Sequence, residues 1–283
     1  MESFEPESKF VEVNGVRLCS LDWGGSGAPI VILHATGFLG RIYRPIAEQL
    51  RAIGHVYSFD QRGHGDSGKA PDGEYNWELT MRDLAGFIDA MGWKSVRAFG
   101  HSAGATAIGS LGAERPDLIL RSVLVEPVIF ESPTGPELGW QNPFFERTLK
   151  RKRSFPSVDA MVANFDRKPP YDTWRKDILH DYCEFGTRRA ADGTRELKCA
   201  PEIEARIYET SHEFDGLARI LASDIPMLVL FGANSYAFSV TLTDRVRRGI
   251  RHGRVLTIPD TGHFMPMEQP DFVARQALDF LGA

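Results

Sequence analysis

The sequence predicts an α/β domain with a mostly parallel central sheet, flanked by helices and interrupted by an inserted helical lid. Short apolar runs alternate with helical patterns, as successive βα units do. The alternation lapses at about Ser132 and resumes after Ser223. The 283 residues are 42% hydrophobic and 25% charged, which is typical of a folded globular chain. We therefore expect a core domain of residues 1–131 and 224–283, with residues 132–223 as the lid.

The first part of the chain carries most of the predicted sheet. Asn14-Gly15 stands between two strand-like runs and predicts a hairpin. Apolar residues at helical spacing predict the intervening helices, as in Ile42, Ile46 and Leu50. The predicted strands are 9–13, 16–23, 29–34, 55–60, 95–100 and 121–126, and the predicted helices are 42–53, 79–91 and 103–113.

The last part of the chain restores the strand pattern at 226–232 and 254–259. A closing helix is expected over 270–282, because Val273, Ala277 and Phe280 recur at helical spacing.

Charge and composition exclude several classes of protein. The net charge of −5 gives no bulk attraction for nucleic acid. The basic run 147–153 (RTLKRKR) is interpreted as a solvated helix face. Three cysteines without metal-ligand spacing are expected to be reduced thiols. The acidic, polar start lacks the features of a signal peptide, and no apolar run reaches the ~18 residues of a membrane span. A cytoplasmic protein acting on a small molecule is expected.

Gly100-His101-Ser102-Ala103-Gly104 matches the G-x-S-x-G pattern between a predicted strand and a predicted helix. In that context the serine stands on a sharp turn, which lifts its hydroxyl above the edge of the sheet. Small neighbours are needed because the turn is strained. Ser102 is therefore the predicted nucleophile, and the Ala103 N–H at the helix start is positioned to stabilise negative charge.

A serine nucleophile needs a neighbouring base, and His263 is the candidate. It follows the last predicted strand, and the carboxyl ends of parallel strands meet at one edge of the sheet. The other histidines lie in turns, in the lid, before strands or beside the nucleophile; they are His34, His55, His64, His101, His180, His212 and His252.

Four segments together resemble the α/β-hydrolase family: HATGF at 34–38, DQRGHGDSG at 60–68, GHSAG at 100–104 and PDTGHFMPMEQPD at 259–271. The resemblance implies the α/β-hydrolase fold and a serine hydrolase that needs no metal or organic cofactor. It argues against haloalkane dehalogenase or epoxide hydrolase chemistry, because those members carry aspartate at the position of Ser102.

The acid that orients the histidine departs from the family pattern. In the family it usually follows the strand equivalent to 226–232, but here residues 232–238 (GANSYAF) contain no carboxylate. Some members carry it one strand earlier, which implies Glu126 at the end of the run 121–126. The alternatives are Asp260, or no acid at all, with Asn234 or Ser235 accepting the hydrogen bond from the imidazole N–H.

Two backbone donors are needed for the oxyanion of an acyl transfer reaction. The resemblance implies that one is the Ala103 N–H and that the other comes from the loop 34–38. Phe38 is favoured if the two additional residues of this loop bulge outward, and Thr36 if register is counted from the histidine. His34 is expected to brace the loop, and Asp60, Arg62 and His64 are interpreted as a structural turn rather than a metal or phosphate site.

Large side chains in the predicted lid indicate an apolar pocket. Trp140 and Phe144 in the lid, and His101 and Phe264 beside the reacting residues, are the candidates for substrate contact. The backbone direction at His101 is, however, expected to turn its ring away from the nucleophile. Hydrolysis of a small, largely apolar carboxylic ester through an acyl-enzyme is the favoured function. The alternatives are carbon–carbon bond or lactone hydrolysis at the same site, and a non-catalytic ligand-binding protein.

Overall fold

The computed structural model describes residues 4–129, 142–236 and 240–283. The strands that form its main sheet are β1 (Glu7–Val13), β2 (Val16–Gly24), β3 (Pro29–Leu33), β4 (His55–Phe59), β5 (Val96–His101) and β6 (Ile119–Val125). The helices between them are α1 (Arg44–Leu50), which follows a 3₁₀ turn at Gly40–Tyr43, α2 (Trp77–Ala90) and α3 (Ala103–Glu114).

The middle of the chain forms α4 (Phe144–Leu149), β7 (Ser154–Phe155), α5 (Val158–Phe165), α6 (Lys176–Phe185), β8 (Thr187–Arg189), β9 (Arg195–Leu197), α7 (Pro201–Glu209) and α8 (Gly216–Ala222). The chain then returns to the main sheet with β10 (Met227–Gly232), α9 (Val240–Gly249), β11 (Gly253–Ile258), α10 (Met265–Glu268) and α11 (Pro270–Leu281).

The main sheet has eight strands in the order β1-β2-β4-β3-β5-β6-β10-β11. β1 pairs antiparallel with β2, and β2 pairs antiparallel with β4. Every further pairing, from β4 to β11, is parallel. The hairpin at Asn14-Gly15 forms because both residues adopt positive φ, 49° and 75°, as a tight turn between twisted strands requires. The prediction of a mostly parallel sheet flanked by helices is confirmed.

Both faces of the sheet are buried, which explains why its central strands are apolar throughout. In β3, Val31 and Leu33 face a cluster shared with α2, α3 and α8, whereas Ile30 and Ile32 face a cluster shared with α1 and α11. The site residues at the strand ends therefore sit on a rigid support.

The segment between β6 and β10 differs from the expectation of helical or irregular structure. It contains a three-stranded antiparallel sheet in the order β7-β9-β8. Strands of two or three residues are too short to carry a readable alternation of apolar and polar side chains. In addition, α8 contacts α3, so this last helix of the segment packs on the sheet-bearing part of the chain.

No described helix is both long and apolar enough to cross a bilayer. The three cysteines, Cys19, Cys183 and Cys199, are unpaired and buried. Burial raises the pKa of the Cys19 and Cys183 thiols to about 12, so these thiols stay protonated and unreactive at neutral pH.

Candidate active site

Ser102 occupies the turn between β5 and α3 with φ 54° and ψ −122°. This strained conformation is held by the backbone on both sides, since the Ser102 N–H donates to Val125 O at 2.9 Å and its carbonyl accepts from Thr106 N at 3.0 Å. Only 6% of the residue is exposed. The turn that the sequence predicts is therefore present, with the serine at its apex.

Two glycines allow the turn to pack closely. A Cβ on Gly100 would lie 2.7 Å from the Ala105 Cα, and one on Gly104 would lie 2.3 Å from the Leu33 carbonyl oxygen. Neither backbone atom can move aside without displacing a strand or a helix. The glycines of the motif thus bring α3 up against the end of β3.

His263 reaches Ser102 from the loop after β11. Its Nε2 lies 3.1 Å from the Ser102 Oγ, and its Nδ1 lies 3.0 Å from the Glu126 Oε2. Both distances are within hydrogen-bonding range. The structure therefore brings together the three residues that the sequence predicts as nucleophile, base and acid.

Glu126 stands directly after β6 and is fully buried, with φ 51°. Its Oε1 accepts the Gly232 N–H at 2.6 Å, and its Oε2 accepts the Ser235 hydroxyl at 2.6 Å. The end of β10 and the turn after it, which lack a carboxylate of their own, thus supply hydrogen-bond donors to Glu126 at the end of the neighbouring strand β6. These bonds hold the Glu126 carboxylate opposite His263.

The alternative acids occupy other places. Asp260 is exposed and lies on the approach to the His263 loop with φ 54°. Asn234 is also exposed, and its N–H donates to Thr261 O at 2.9 Å. Ser235 donates to Glu126 and so belongs to the support of that acid.

The loop after β3 forms a β-turn in which the Phe38 N–H donates to Ala35 O at 3.1 Å. Thr36 and Gly37 are its central residues, and Gly37 has the positive φ, 79°, that a type II turn needs. The Gly37 N–H donates to His64 Nε2 at 3.0 Å. Of the backbone donors from Thr36 to Phe38, the Thr36 N–H is the one without a protein acceptor in the described part of the chain.

Because of this turn, the Phe38 N–H is not favoured as the second oxyanion donor. The two additional residues, Ala35 and Thr36, are the first two positions of the turn, and the N–H of its last residue, Phe38, is already bonded to Ala35 O. The Ala103 N–H, like that of Thr36, has no protein acceptor among the described residues. Thr36 and Ala103 are therefore the available pair, while the Phe38 side chain lines the pocket.

His101, a candidate for substrate contact, is instead buried behind the site. Its Nδ1 lies 2.7 Å from the Tyr43 hydroxyl, and its Nε2 lies 2.8 Å from the His263 carbonyl oxygen. The Tyr43 hydroxyl in turn accepts the Ala35 N–H at 3.2 Å. Burial, together with the neighbouring imidazole of His263, lowers the pKa of His101 to about 3. The neutral ring thus links the loop that bears Thr36 to the loop that bears His263.

The side chains of the 60–68 segment make contacts within the fold, as expected for a structural turn; the residues are Asp60, Arg62 and His64. Asp60 accepts the Gly40 and Asp66 N–H groups at 2.8 and 2.9 Å. Arg62 makes a bidentate ion pair with buried Asp83 at 2.7 Å for both bonds. One group of described residues, Cys19, Asp60 and Asp66, has three potential metal ligands within 4.8 Å of one another, but both Asp60 oxygens already accept backbone hydrogen bonds.

His34 also braces its loop, because its Nε2 accepts the Gln61 N–H at 2.8 Å and its Nδ1 donates to Ala35 O at 2.8 Å. Burial lowers the pKa of His34 well below its usual value. It likewise lowers the pKa of His64 to about 4. With His101, three buried histidines are held neutral.

These histidines predict a loss of stability in mild acid. Because their folded-state pKa values are lowered, the unfolded chain binds protons that the folded chain excludes as the pH falls from about 6.5 to 4. Burial raises the pKa of Asp60 to about 6 and offsets part of the loss. The free energy of unfolding, measured by denaturant titration, should fall by several kcal/mol between pH 7 and 4. His64→Gln, whose amide can replace both ring hydrogen bonds, should show a shallower decline; a flat profile for the original chain would contradict the prediction.

A pocket of about 550 Å³ opens above Ser102 and His263. Of the four predicted substrate contacts, Phe144 and Phe264 lie in its wall, His101 is buried behind the site, and Trp140 lies outside the described residues. Aromatic rings form much of the wall; they are Phe38, Trp77, Phe144, Phe165, Tyr171, Tyr208, Tyr236 and Phe264. Such a lining suits a small, partly apolar molecule.

Several polar residues of the pocket wall are not predicted from the sequence. Phe144, Arg147 and Thr148 line the pocket from one face of α4, and Arg151, two residues beyond the end of that helix, lines it as well. The interpretation of 147–153 as a solvated face is therefore wrong for Arg151, whose side chain is 19% exposed and pairs with Glu204, whereas Arg147 is exposed although it lines the pocket. Phe144, which precedes Arg147 by one turn of this helix, is the signal that could have revealed the pocket-lining face.

Comparison with known proteins gives the same fold and family. A family model described as the alpha/beta hydrolase family matches residues 30–276. N-formylmaleamate deformylase from Pseudomonas putida is 30% identical, over 96% of this chain and 95% of that protein. Epoxide hydrolase A from Mycobacterium tuberculosis is 25% identical, over 98% and 97%. The crystal structure of E-2-(acetamidomethylene)succinate hydrolase has the same fold, with a TM-score of 0.83 and 22% identity over 99% of this chain and 100% of that chain.

The matched region extends from β3 into the last helix and so contains the nucleophile turn, the Glu126 strand end and the His263 loop. The epoxide hydrolase and the deformylase named above each match nearly the whole chain. The chain is therefore a hydrolase and a member of the alpha/beta hydrolase family.

Proposed function

We propose that the protein is a serine hydrolase that cleaves a small carboxylic ester through an acyl-enzyme. The observation that carries the proposal is the unbroken chain from the Ser102 Oγ through both ring nitrogens of His263 to Glu126, with spacings of 3.1 and 3.0 Å. A hydroxyl, an imidazole and a buried carboxylate in this order make the alcohol nucleophilic at neutral pH.

In the first step, His263 Nε2 takes the proton of Ser102 as its Oγ attacks the substrate carbonyl. Glu126 accepts a hydrogen bond from Nδ1–H, fixes the tautomer and stabilises the imidazolium. The Thr36 and Ala103 N–H groups bind the oxyanion, and His263 then protonates the departing alcohol. In the second step His263 activates water, which releases the acid and frees Ser102.

Residues 132–223 act in this proposal as a lid over the site. The described part of the segment supports that role, because α4, Phe165, Tyr171 and Tyr208 supply pocket walls opposite Ser102. A wall built from a separate segment sets the substrate preference without altering the reacting groups.

A second candidate is cleavage of an acyl group from nitrogen. It is favoured by the relative named N-formylmaleamate deformylase, which is 30% identical over 96% of this chain. Removal of a formyl group transfers an acyl group, and the same nucleophile and oxyanion donors would serve it.

Two measurements test the proposal. A fluorophosphonate should add one mass equivalent to the folded protein, with peptide mapping locating it at Ser102 and Ser102→Ala remaining unmodified. A panel of p-nitrophenyl esters of increasing acyl length should then give saturable release of nitrophenolate. Folded protein that neither acquires an adduct at Ser102 nor turns over any ester would contradict the proposal and favour a non-catalytic binding protein.

A further inference from the structure

We propose that the substrate carries a carboxylate in addition to the bond that is cleaved, and that Arg147 and Lys168 bind this carboxylate at the mouth of the pocket. The inference rests on the proposed function, because it names the substrate class of the same site.

The charges in the pocket wall are unequal. Three cationic side chains line it, Arg147, Arg151 and Lys168, against one carboxylate, Glu204. Arg151 is neutralised, since it pairs with Glu204 and also donates to the Tyr182 hydroxyl at 2.7 Å. The charges of Arg147 and Lys168 remain.

Neither remaining cation has a carboxylate partner within the described residues. Lys168 Nζ donates to the neutral Asn164 Oδ1 at 2.6 Å, which leaves its charge uncompensated. Cations that flank the same helix outside the pocket behave differently, as Lys150 pairs with Glu146 at 3.4 Å and Arg153 pairs with Glu202. Lys152, in the same basic run, has no carboxylate partner among the described residues either and packs over the Phe155 ring at 4.7 Å, so what distinguishes Arg147 and Lys168 is their place in the pocket wall.

Arg147 lines the same pocket as Ser102 and His263. It follows Phe144 by one turn of α4, on the face that lines the pocket. The Phe144 ring packs on Tyr236, with ring centroids 6.2 Å apart, and the Tyr236 ring packs on His263 at 5.8 Å. A group held by Arg147 would therefore belong to a molecule whose carbonyl reaches Ser102.

Lys168 lines the same pocket from a second segment of the chain. It directly precedes Pro169, Pro170 and Tyr171, which also line the pocket. Cations from two segments can bind one carboxylate jointly, whereas the aromatic wall between them and Ser102 suits an apolar spacer. The expected substrate is an ester or amide with a carboxylate on either its acyl side or its leaving group.

Paired substrates separate these two positions. On the acyl side, the mono-p-nitrophenyl ester of adipic acid is compared with p-nitrophenyl heptanoate. On the leaving-group side, p-carboxyphenyl hexanoate is compared with p-tolyl hexanoate. In at least one pair the anionic ester should have a kcat/KM about tenfold higher, because two ion pairs with exposed cations together contribute about that factor. Added salt should reduce the preference.

The double variant R147Q/K168Q should bring the ratio of anionic to neutral kcat/KM close to one. Lys150→Gln removes a cation from the end of the same helix outside the pocket, and it should leave the ratio unchanged. A preference that survives in R147Q/K168Q would overturn the assignment, as would equal kcat/KM values within both pairs.

A binding measurement decides the inference even if no ester is turned over. Calorimetric titration of the Ser102→Ala protein with adipamate and with adipamide compares ligands that differ in one carboxylate. Adipamate should bind about tenfold more tightly, and R147Q/K168Q in the same background should abolish the difference. Equal affinities for adipamate and adipamide would overturn the proposal that the substrate is anionic. Absence of a fluorophosphonate adduct in the original chain would instead overturn the proposal that the protein is a serine hydrolase.

Discussion

Ser102→Ala is expected to lower kcat/KM for the best p-nitrophenyl ester by roughly 10⁵- to 10⁶-fold, the scale seen when the nucleophile of such a site is removed. The physical reason is that no other hydroxyl occupies the turn apex 3.1 Å from His263 Nε2 in the described structure. What activity remains comes from oxyanion binding and substrate positioning. The measurement is initial-rate kinetics on protein free of contaminating esterase.

The control for Ser102→Ala uses the coupling between the reacting groups. His263→Ala should cost a similar factor, and the double variant should be scarcely slower than either single variant, because each removes the same concerted step. Effects that multiply would show that the two residues act independently. A Ser102→Ala protein retaining a tenth of the original kcat/KM would refute the nucleophile assignment.

Glu126→Gln is expected to lower kcat by roughly 10³- to 10⁴-fold with a small change in KM. Glutamine has nearly the same shape, but its amide is neutral and can present a donor to Nδ1, which selects the wrong tautomer. The loss of charge also removes the stabilisation of the imidazolium. Single-turnover kinetics should show the acylation step slowed, while the fluorophosphonate reaction at Ser102 slows in parallel.

Asp260→Asn is the matched control for Glu126→Gln, since it neutralises the alternative candidate for the acid that orients His263. Asp260 is exposed, so its substitution should leave kcat within about twofold, as is usual for surface positions. The opposite ranking of the two variants would transfer the role of orienting acid to Asp260. Thermal unfolding of both proteins separates catalytic loss from loss of fold.

Much of the sheet and the candidate triad could be predicted from the sequence. The central strands are apolar because both their faces are buried, and each predicted strand lies within two residues of the observed one. Ser102 and His263 stand in local motifs whose strand-to-helix context can be read directly. Glu126 is harder to identify, because its role depends on the neighbouring strand and on the donors of Gly232 and Ser235.

The remaining differences arise where tertiary contacts override local patterns. The turn at Thr36-Gly37 is set by the acceptor on His64 and by the bond from Phe38 to Ala35, which sequence spacing does not reveal. Arg147 resembles a solvated charge in sequence and becomes part of the pocket only because α4 packs against α7. The short strands β7 to β9 fall below the length at which periodicity can be recognised.

The placement of His101 has a consequence for how such an enzyme can diversify. Its ring ties together, from behind, the loops that present the oxyanion donor and the imidazole, through Tyr43 on one side and the His263 carbonyl on the other. The alignment of the reacting atoms therefore depends little on the side chains that face the substrate. Substitutions in α4 and elsewhere in the pocket wall can therefore accumulate and change substrate selectivity while the reacting groups keep their geometry.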